Sequence, residues 1–277
     1  MCPVGATANI RSGVGHRSNS LGGMAALAEG SPSVLRTKPR NGEVPISLRL
    51  LGGFELECDG RNVALPLAAQ RLLAFLGLQR HPLSRSHVAG ALWGGSSEER
   101  ALASLRSTLW RINQVEYHLV DARATHISLA RGVGVDLRTM VSTAHALIAD
   151  SACPLHEAID LADDLLPDWY EDWVMWERER LRQLRLHALE ILALRLMSAG
   201  RLGEAVEASQ TALRDDPLRE SAHRVLIRVH LAEGNPAEAL RQYRLYERMM
   251  ARDLNAEPSP LIRRLVSHLT SGTRRQW

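Results

Sequence analysis

The chain has 277 residues and 45% hydrophobic side chains, enough for two domains of common size, each with its own core. Its formal net charge is only +3, but the charge is positive up to residue 135 and negative beyond it. This asymmetry permits a nucleic-acid contact in the first half, although so small a charge does not establish one.

Targeting and metal-binding signals are weak throughout. No apolar run approaches the roughly 18 residues that cross a bilayer, and the first residues lack a signal-peptide core, so we expect a soluble, cytoplasmic protein without membrane contact. The cysteines Cys2, Cys58 and Cys153 lie far apart without C-x-x-C spacing, which indicates neither a disulfide framework nor a zinc site. We therefore predict no metal and no cofactor.

The first predicted elements are strands. Residues 1–45 are rich in Gly, Ser, Ala and Pro and lack periodicity, which is typical of a flexible extension. From Ile46, polar and apolar residues alternate around a Gly52-Gly53 bend and an Asp59-Gly60 turn. This pattern predicts a small antiparallel sheet.

Three helices and a hairpin are predicted next. The first helix covers 67–79 and is ended by His81-Pro82, and the second follows the N-cap Ser84 and stops at Gly94-Gly95. The third follows Ser96 or Ser97, and two short alternating strands around a turn at 122–125 come after it. Together these elements predict a winged helix-turn-helix domain over 46–135, with an α+β fold.

The third predicted helix carries the candidate contact face. In ALASLRSTLWRINQ, residues 101–114, the apolar stripe consists of Leu102, Leu105, Leu109 and Ile112. The opposite face carries arginine, serine and tryptophan, and arginine is the commonest reader of guanine in the major groove. The wing adds few basic groups. The predicted DNA-contact residues are Arg100, Ser104, Arg106, Ser107, Trp110 and Arg111 in the helix and Arg123, His126 and Arg131 in the wing.

Two of these residues have alternative interpretations. Arg106 lies at the flank of the apolar stripe, where it contacts DNA or instead pairs with Glu98 or Glu99. Trp110 contacts DNA or packs under the wing. The sequence leaves both questions open.

The rest of the chain predicts an all-α domain over 136–270, followed by a tail, 271–277. SAGRLGEAVEASQTAL overlays AEGNPAEALRQYRLYE at an offset of 34 residues, so that Gly200 matches Gly234 and Ala205 matches Ala239. A period of 34 is typical of tetratricopeptide helix pairs, although Tyr246 stands where a small residue is expected. The alternative is a purely structural helical bundle.

Three tryptophans precede the repeat. Trp169, Trp173 and Trp176 have the i, i+4, i+7 spacing of one helical stripe, which favours a core or interdomain interface over a ligand cage. Acidic residues lie among them and form either a solvated face or an acidic surface for a protein partner. These are Asp168, Glu171, Asp172, Glu177 and Glu179.

Residues 46 to about 268 resemble the Streptomyces-antibiotic-regulatory-protein (SARP) type of transcriptional regulator. In the first domain the resemblance rests on ISLRLLGGFELECDGRNVALP, QRLLAFLGLQRHPLSRSHVAGALW and ALASLRSTLWRINQ. In the second it rests on LLPDWYEDWVMWERERLRQLRLHALEILA, on the repeat region 199–250 and on LNAEPSPLIRRL. The resemblance implies a winged-helix DNA-binding domain followed by a bacterial transcriptional activation domain of tetratricopeptide-like helices.

The resemblance also implies a function. Such a regulator binds promoter direct repeats of double-stranded DNA as side-by-side protomers, a homodimer on DNA, and contacts RNA polymerase. It would be nucleoid-associated and control a neighbouring gene cluster of the secondary-metabolism type. The alternative is a protein-interaction adaptor with a degenerate winged helix. An enzyme is not expected, since the sequence contains neither a G-x-x-x-x-G-K-[ST] loop nor a nucleophile-and-base motif.

Overall fold

The computed structural model describes residues 45–149 and 163–271, all within the unit formed by Pro39–Trp277. The predicted extension up to residue 44, the tail from residue 272, Cys2 and Cys153 lie outside the described residues. Within the described ranges, no helix is both long enough and apolar enough to cross a membrane.

The first sheet has four strands in the order β3-β2-β1-β7. Strands β1 (Ile46–Arg49), β2 (Glu55–Cys58) and β3 (Arg61–Asn62) pair antiparallel, as predicted. A further strand, β7 (Val133–Val135), was not predicted in this sheet; it pairs parallel to β1 and makes the sheet mixed. Three residues are too short to show a strand period, and only the return of the chain after the hairpin brings β7 to this edge.

Three helices and a second sheet follow. Helix α1 (Leu67–Leu78) leads through β4 (Leu83–Ser84) to α2 (Arg85–Trp93) and α3 (Glu98–Ile112). Strands β5 (Val120–Ala122) and β6 (His126–Leu129) form the predicted antiparallel hairpin, and β4 pairs with β6. The elements therefore occur in the order of a winged helix.

The remainder is helical. It consists of α4 (Asp136–Ile148), α5 (Asp172–Ser198), α6 (Leu202–Asp215), α7 (Glu220–Ala232), α8 (Pro236–Leu254) and α9 (Pro260–Ser271). From α4 onward, each of these helices packs against the next. Gly200 and Gly234, equivalent in the repeat, have φ angles of 74° and 73° and precede α6 and α8. Ala205 and Ala239, also equivalent, are both fully buried. The tetratricopeptide assignment stays a prediction.

The two predicted domains share one continuous core. A single cluster of buried apolar residues extends from Leu48 in β1 to Val229 in α7. The backbone N–H of Gly52 donates to the carbonyl of Asp164 at 2.8 Å, and that of Leu166 donates to the carbonyl of Leu50 at 2.9 Å. The segment before α5 therefore pairs with the residues that directly follow β1. The predicted boundary at 135/136 stays a prediction.

Asp136, the first residue of α4, completes this junction. Its carboxylate accepts hydrogen bonds from the backbone N–H groups of Leu50 and Leu51, each at 3.0 Å, and from that of Leu137 at 2.7 Å. Burial raises the pKa of this carboxyl above its ordinary value, and the three hydrogen bonds only partly offset that effect. Asp136 thus joins α4 to the end of β1 at some electrostatic cost.

Candidate DNA-contact surface

Helix α3 is held in place by one apolar face. Ala101, Leu105, Leu109 and Ile112 are buried, whereas Leu102 is only half-buried. Thr108 is buried as well, and its Oγ1 donates to the carbonyl of Ser104 at 2.8 Å, so its hydroxyl is satisfied within the helix. The face opposite this stripe is left free for contacts outside the chain.

The predicted contact residues of α3 lie on that free face. Ser104 is half-buried. The other predicted contact residues of the helix are exposed, and these are Arg100, Arg106, Ser107, Trp110 and Arg111. The ion pairs found within 45–149 and 163–271 do not include Arg106, so the predicted alternative of a pair with Glu98 or Glu99 is not observed. Trp110 is 64% exposed, so the alternative that it packs under the wing is wrong.

The turn between α2 and α3 depends on one glycine. A Cβ atom at Gly94 would lie 2.6 Å from the backbone oxygen of Gly90, whereas a Cβ at Gly95 would meet nothing within 4 Å. The Ser96 N–H and hydroxyl both donate to the carbonyl of Trp93, at 3.0 and 2.9 Å. This close approach fixes the direction in which α3 leaves α2.

The wing is anchored to the start of α2. The N–H of Arg85 donates to the carbonyl of Thr125 at 3.0 Å, and its guanidinium Nε donates to the carbonyl of Arg123, also at 3.0 Å. Ser84 caps the same helix by accepting a hydrogen bond from the His87 N–H at 3.3 Å. The hairpin turn is therefore hydrogen-bonded to the first residue of α2.

The basic wing residues line a cavity that α3 does not reach. The cavity has a volume of about 740 Å³, and Arg123, His126 and Arg131 line it together with Arg80 and Arg138. We call it the arginine cleft. Sequence reasoning missed Arg80, which follows α1, and Arg138, in the first turn of α4, because neither lies near the wing in sequence. Only the fold brings them together.

The predicted stripe of three tryptophans is wrong. Helix α5 begins at Asp172, so Trp169 precedes it, and Trp176 is 78% exposed. Trp169 and Trp173 are half-buried and lie edge to face with ring centroids 6.2 Å apart. Trp169 stacks on Phe54 at 6.1 Å, and Trp173 meets Phe75 of α1 edge-on at 5.3 Å. These two tryptophans therefore pack against the first part of the chain.

Most of the acidic residues around these tryptophans have arginine partners. Glu171 pairs with Arg71 of α1 at 2.7 Å. The two other pairs lie within α5 and join Glu177 to Arg180 and Glu179 to Arg182. Asp168 and Asp172 are exposed. Of these pairs, only that of Glu171 joins the start of α5 to another element, and the choice between a solvated face and an acidic partner surface stays open.

Residues of helices α5 to α8 line a second, partly open cavity of about 760 Å³. His223 lies in its wall and is only 2% exposed. The His223 Nε2 lies 2.8 Å from the carbonyl of Pro217, and Nδ1 lies 2.8 Å from the amide nitrogen of Gln242. A neutral ring that donates through Nε2 satisfies both contacts. Burial lowers the pKa of this imidazole, and the hydrogen bond to Pro217 and nearby carboxylates only partly offset that effect.

Taken together, the folded elements have the order of a winged helix followed by a helical region, and comparison with known proteins shows what this arrangement resembles. Residues 144–269 match the family model described as bacterial transcriptional activator domain. Regulatory protein AfsR of Streptomyces coelicolor is 28% identical over 234 residues, which cover 79% of this chain and 24% of that protein. The chain therefore spans about a quarter of the length of this curated relative.

A solved structure shows the same fold. It is Mycobacterium tuberculosis EmbR in complex with a low-affinity phosphopeptide, with a TM-score of 0.67 and 20% identity over 83% of this chain and 66% of that chain. The predicted resemblance to SARP-type transcriptional regulators is thereby confirmed, with residues 144–269 matching the bacterial transcriptional activator domain. The predicted contact residues themselves are not tested by these similarities.

Proposed function

We propose that the chain is a sequence-specific DNA-binding activator in which α3 reads the major groove. The observation that carries this proposal is the division of α3 into a buried apolar face and an exposed face with Arg100, Arg106 and Arg111. Arginine donates a bidentate pair of hydrogen bonds to guanine, and Ser107 is short enough to permit close approach. Trp110, exposed beside Arg111, is available for an apolar contact with a thymine methyl group.

The test is a binding assay on duplexes from the region upstream of the protein's own gene. Replacing Arg111 by Ala should weaken binding to the preferred site by about 5- to 150-fold, the 1–3 kcal/mol of one bidentate base contact. Arg264→Ala is the matched control, because Arg264 is exposed on α9 and its replacement removes the same charge. Equal affinity for all sequences, unchanged by Arg111→Ala, would remove the proposal and favour the protein-interaction adaptor.

We infer that promoter direct repeats hold two protomers side by side. The support is the small number of basic residues on α3 and the wing, which favours affinity gained by linked occupation of two sites. Shifting one repeat by half a helical turn, about five base pairs, should abolish cooperative binding while each isolated half-site still binds. Equal affinity for the shifted and unshifted sites would contradict this arrangement.

The helical module is proposed to contact RNA polymerase through tetratricopeptide-like surfaces. The support is the equivalence of Gly200 and Gly234 in conformation and of Ala205 and Ala239 in burial, together with the activator-domain match. Such an activator would reside on the nucleoid and raise transcription of an adjacent gene cluster. Transcription in vitro from that promoter should rise with the full chain, and an unchanged transcript level would contradict activation.

A further inference from the structure

The arginine cleft combines cationic groups that have no ion-pair partner among the described residues. Neither Arg80, Arg123, Arg131 nor Arg138 takes part in an ion pair within the described parts of the chain, whereas arginines elsewhere, such as Arg71 and Arg219, pair with carboxylates. The carboxylate in the lining, Asp121, pairs with His118 at 2.7 Å instead. Four guanidinium groups thus share the cleft with one carboxylate, so its lining carries a net positive charge.

Two further features point to an anionic ligand. The pKa of Arg138 is lowered by burial and by the neighbouring charge of Arg80, so the two guanidinium groups disfavour each other. Arg138 is nevertheless held in place, since its Nη2 donates to the carbonyl of Gln79 at 3.1 Å. An anion between these groups would remove the repulsion and accept their remaining N–H donors.

The cleft adjoins the candidate reading unit. Its lining includes Arg123 of the wing turn, whose carbonyl accepts a hydrogen bond from Arg85 at the start of α2. The wing turn is thus hydrogen-bonded to α2, and α2 leads through the turn at Gly94 into α3. A DNA strand that crosses the wing would present its backbone phosphates to this row of guanidinium groups, which suits sequence-independent contacts.

We propose that the arginine cleft binds phosphate groups of the DNA backbone beside the base pairs read by α3. This proposal rests on the proposed DNA-binding function and extends it to Arg80 and Arg138, outside both the recognition helix and the wing. The cleft would supply affinity and orientation rather than sequence discrimination.

The test compares Arg80→Ala/Arg131→Ala with the charge-matched control Arg248→Ala/Arg264→Ala. All four side chains are exposed and none takes part in a hydrogen bond or ion pair within residues 45–149 and 163–271, so all variants should fold, which thermal unfolding checks. Binding to a duplex with one half-site is measured at several salt concentrations. The magnitude of the salt slope should fall by about 2 in the cleft variant, which makes the weakening between 50 and 200 mM salt about tenfold smaller.

Three outcomes would overturn the proposal. The first is a salt slope equal to that of the control variant. The second is unchanged half-site binding with loss of cooperativity on two half-sites, which would place a second protomer at the cleft. The third is a saturable rise in melting temperature with inorganic phosphate, lost in the cleft variant while DNA binding stays the same, which would make free phosphate the ligand.

This test is separable from that of sequence recognition. A reduced salt slope in the cleft variant, combined with equal affinity for all duplexes, would support the phosphate site and reject sequence-specific reading. A preserved sequence preference with an unchanged salt slope would support sequence-specific reading and reject the phosphate site.

Discussion

Gly94 offers the sharpest test of how the contact helix is oriented. In Gly94→Ala, the new Cβ would lie 2.6 Å from the Gly90 carbonyl oxygen, and it must move about 0.8 Å to reach the 3.4 Å of ordinary contact. Both atoms are attached to backbone, so the strain must be relieved by moving α2 relative to the start of α3. An overpacked site of this kind costs about 1–3 kcal/mol, a fall in melting temperature of about 3–10 °C for a unit of this size.

Gly95→Ala is the matched control, because a Cβ there meets nothing within 4 Å. Removing this glycine restricts the unfolded chain, so the melting temperature should stay the same or rise slightly. The assay combines thermal unfolding, followed by circular dichroism, with DNA binding by fluorescence anisotropy. We expect about tenfold weaker specific binding for Gly94→Ala alone, since α3 would be displaced from its bases. Equal melting temperatures and affinities for the two variants would refute the reasoning.

Three further changes test the rest of the fold. Asp136→Ala leaves two backbone N–H groups at the end of β1 without their acceptor. The free energy of unfolding should therefore fall by about 2–5 kcal/mol in denaturant titrations. A loss below about 1 kcal/mol would contradict that role. Trp173→Ala should cost about 2–3 kcal/mol, less than for a fully buried tryptophan, while the exposed Trp176→Ala should stay within about 0.5 kcal/mol; similar losses would reject the packing role. Because the pKa of His223 is lowered in the folded state, the unfolded chain binds a proton first as the pH falls through about 6.5. The free energy of unfolding should therefore decrease below that pH, and the decrease should be smaller in His223→Gln. Identical pH profiles of the two proteins would contradict this assignment.

Local sequence patterns predicted an element well where a single capping or turn residue, or one hydrophobic period, determines its position. The stripe on α3, the Ser84 cap and the Asp59-Gly60 turn all follow from nearest-neighbour chemistry, and Asp59 and Gly60 indeed have φ angles of 51° and 73°. The tryptophan spacing failed because helical periodicity says nothing about where a helix begins. Trp169 precedes α5, and its ring packs on Phe54, which is remote in sequence.

The sequence by itself determined the order of strands and helices, the buried stripe of α3 and the resemblance to SARP-type regulators, since these depend on periodicity and short-range turns. Only the tertiary structure decided that Trp110 is exposed, that β7 joins β1, and that the arginine cleft exists. The cleft collects Arg80, Arg123 and Arg138 from the loop after α1, the wing turn and α4. Such contacts are set by how the chain returns to itself after the hairpin, and no local pattern of residues encodes that return.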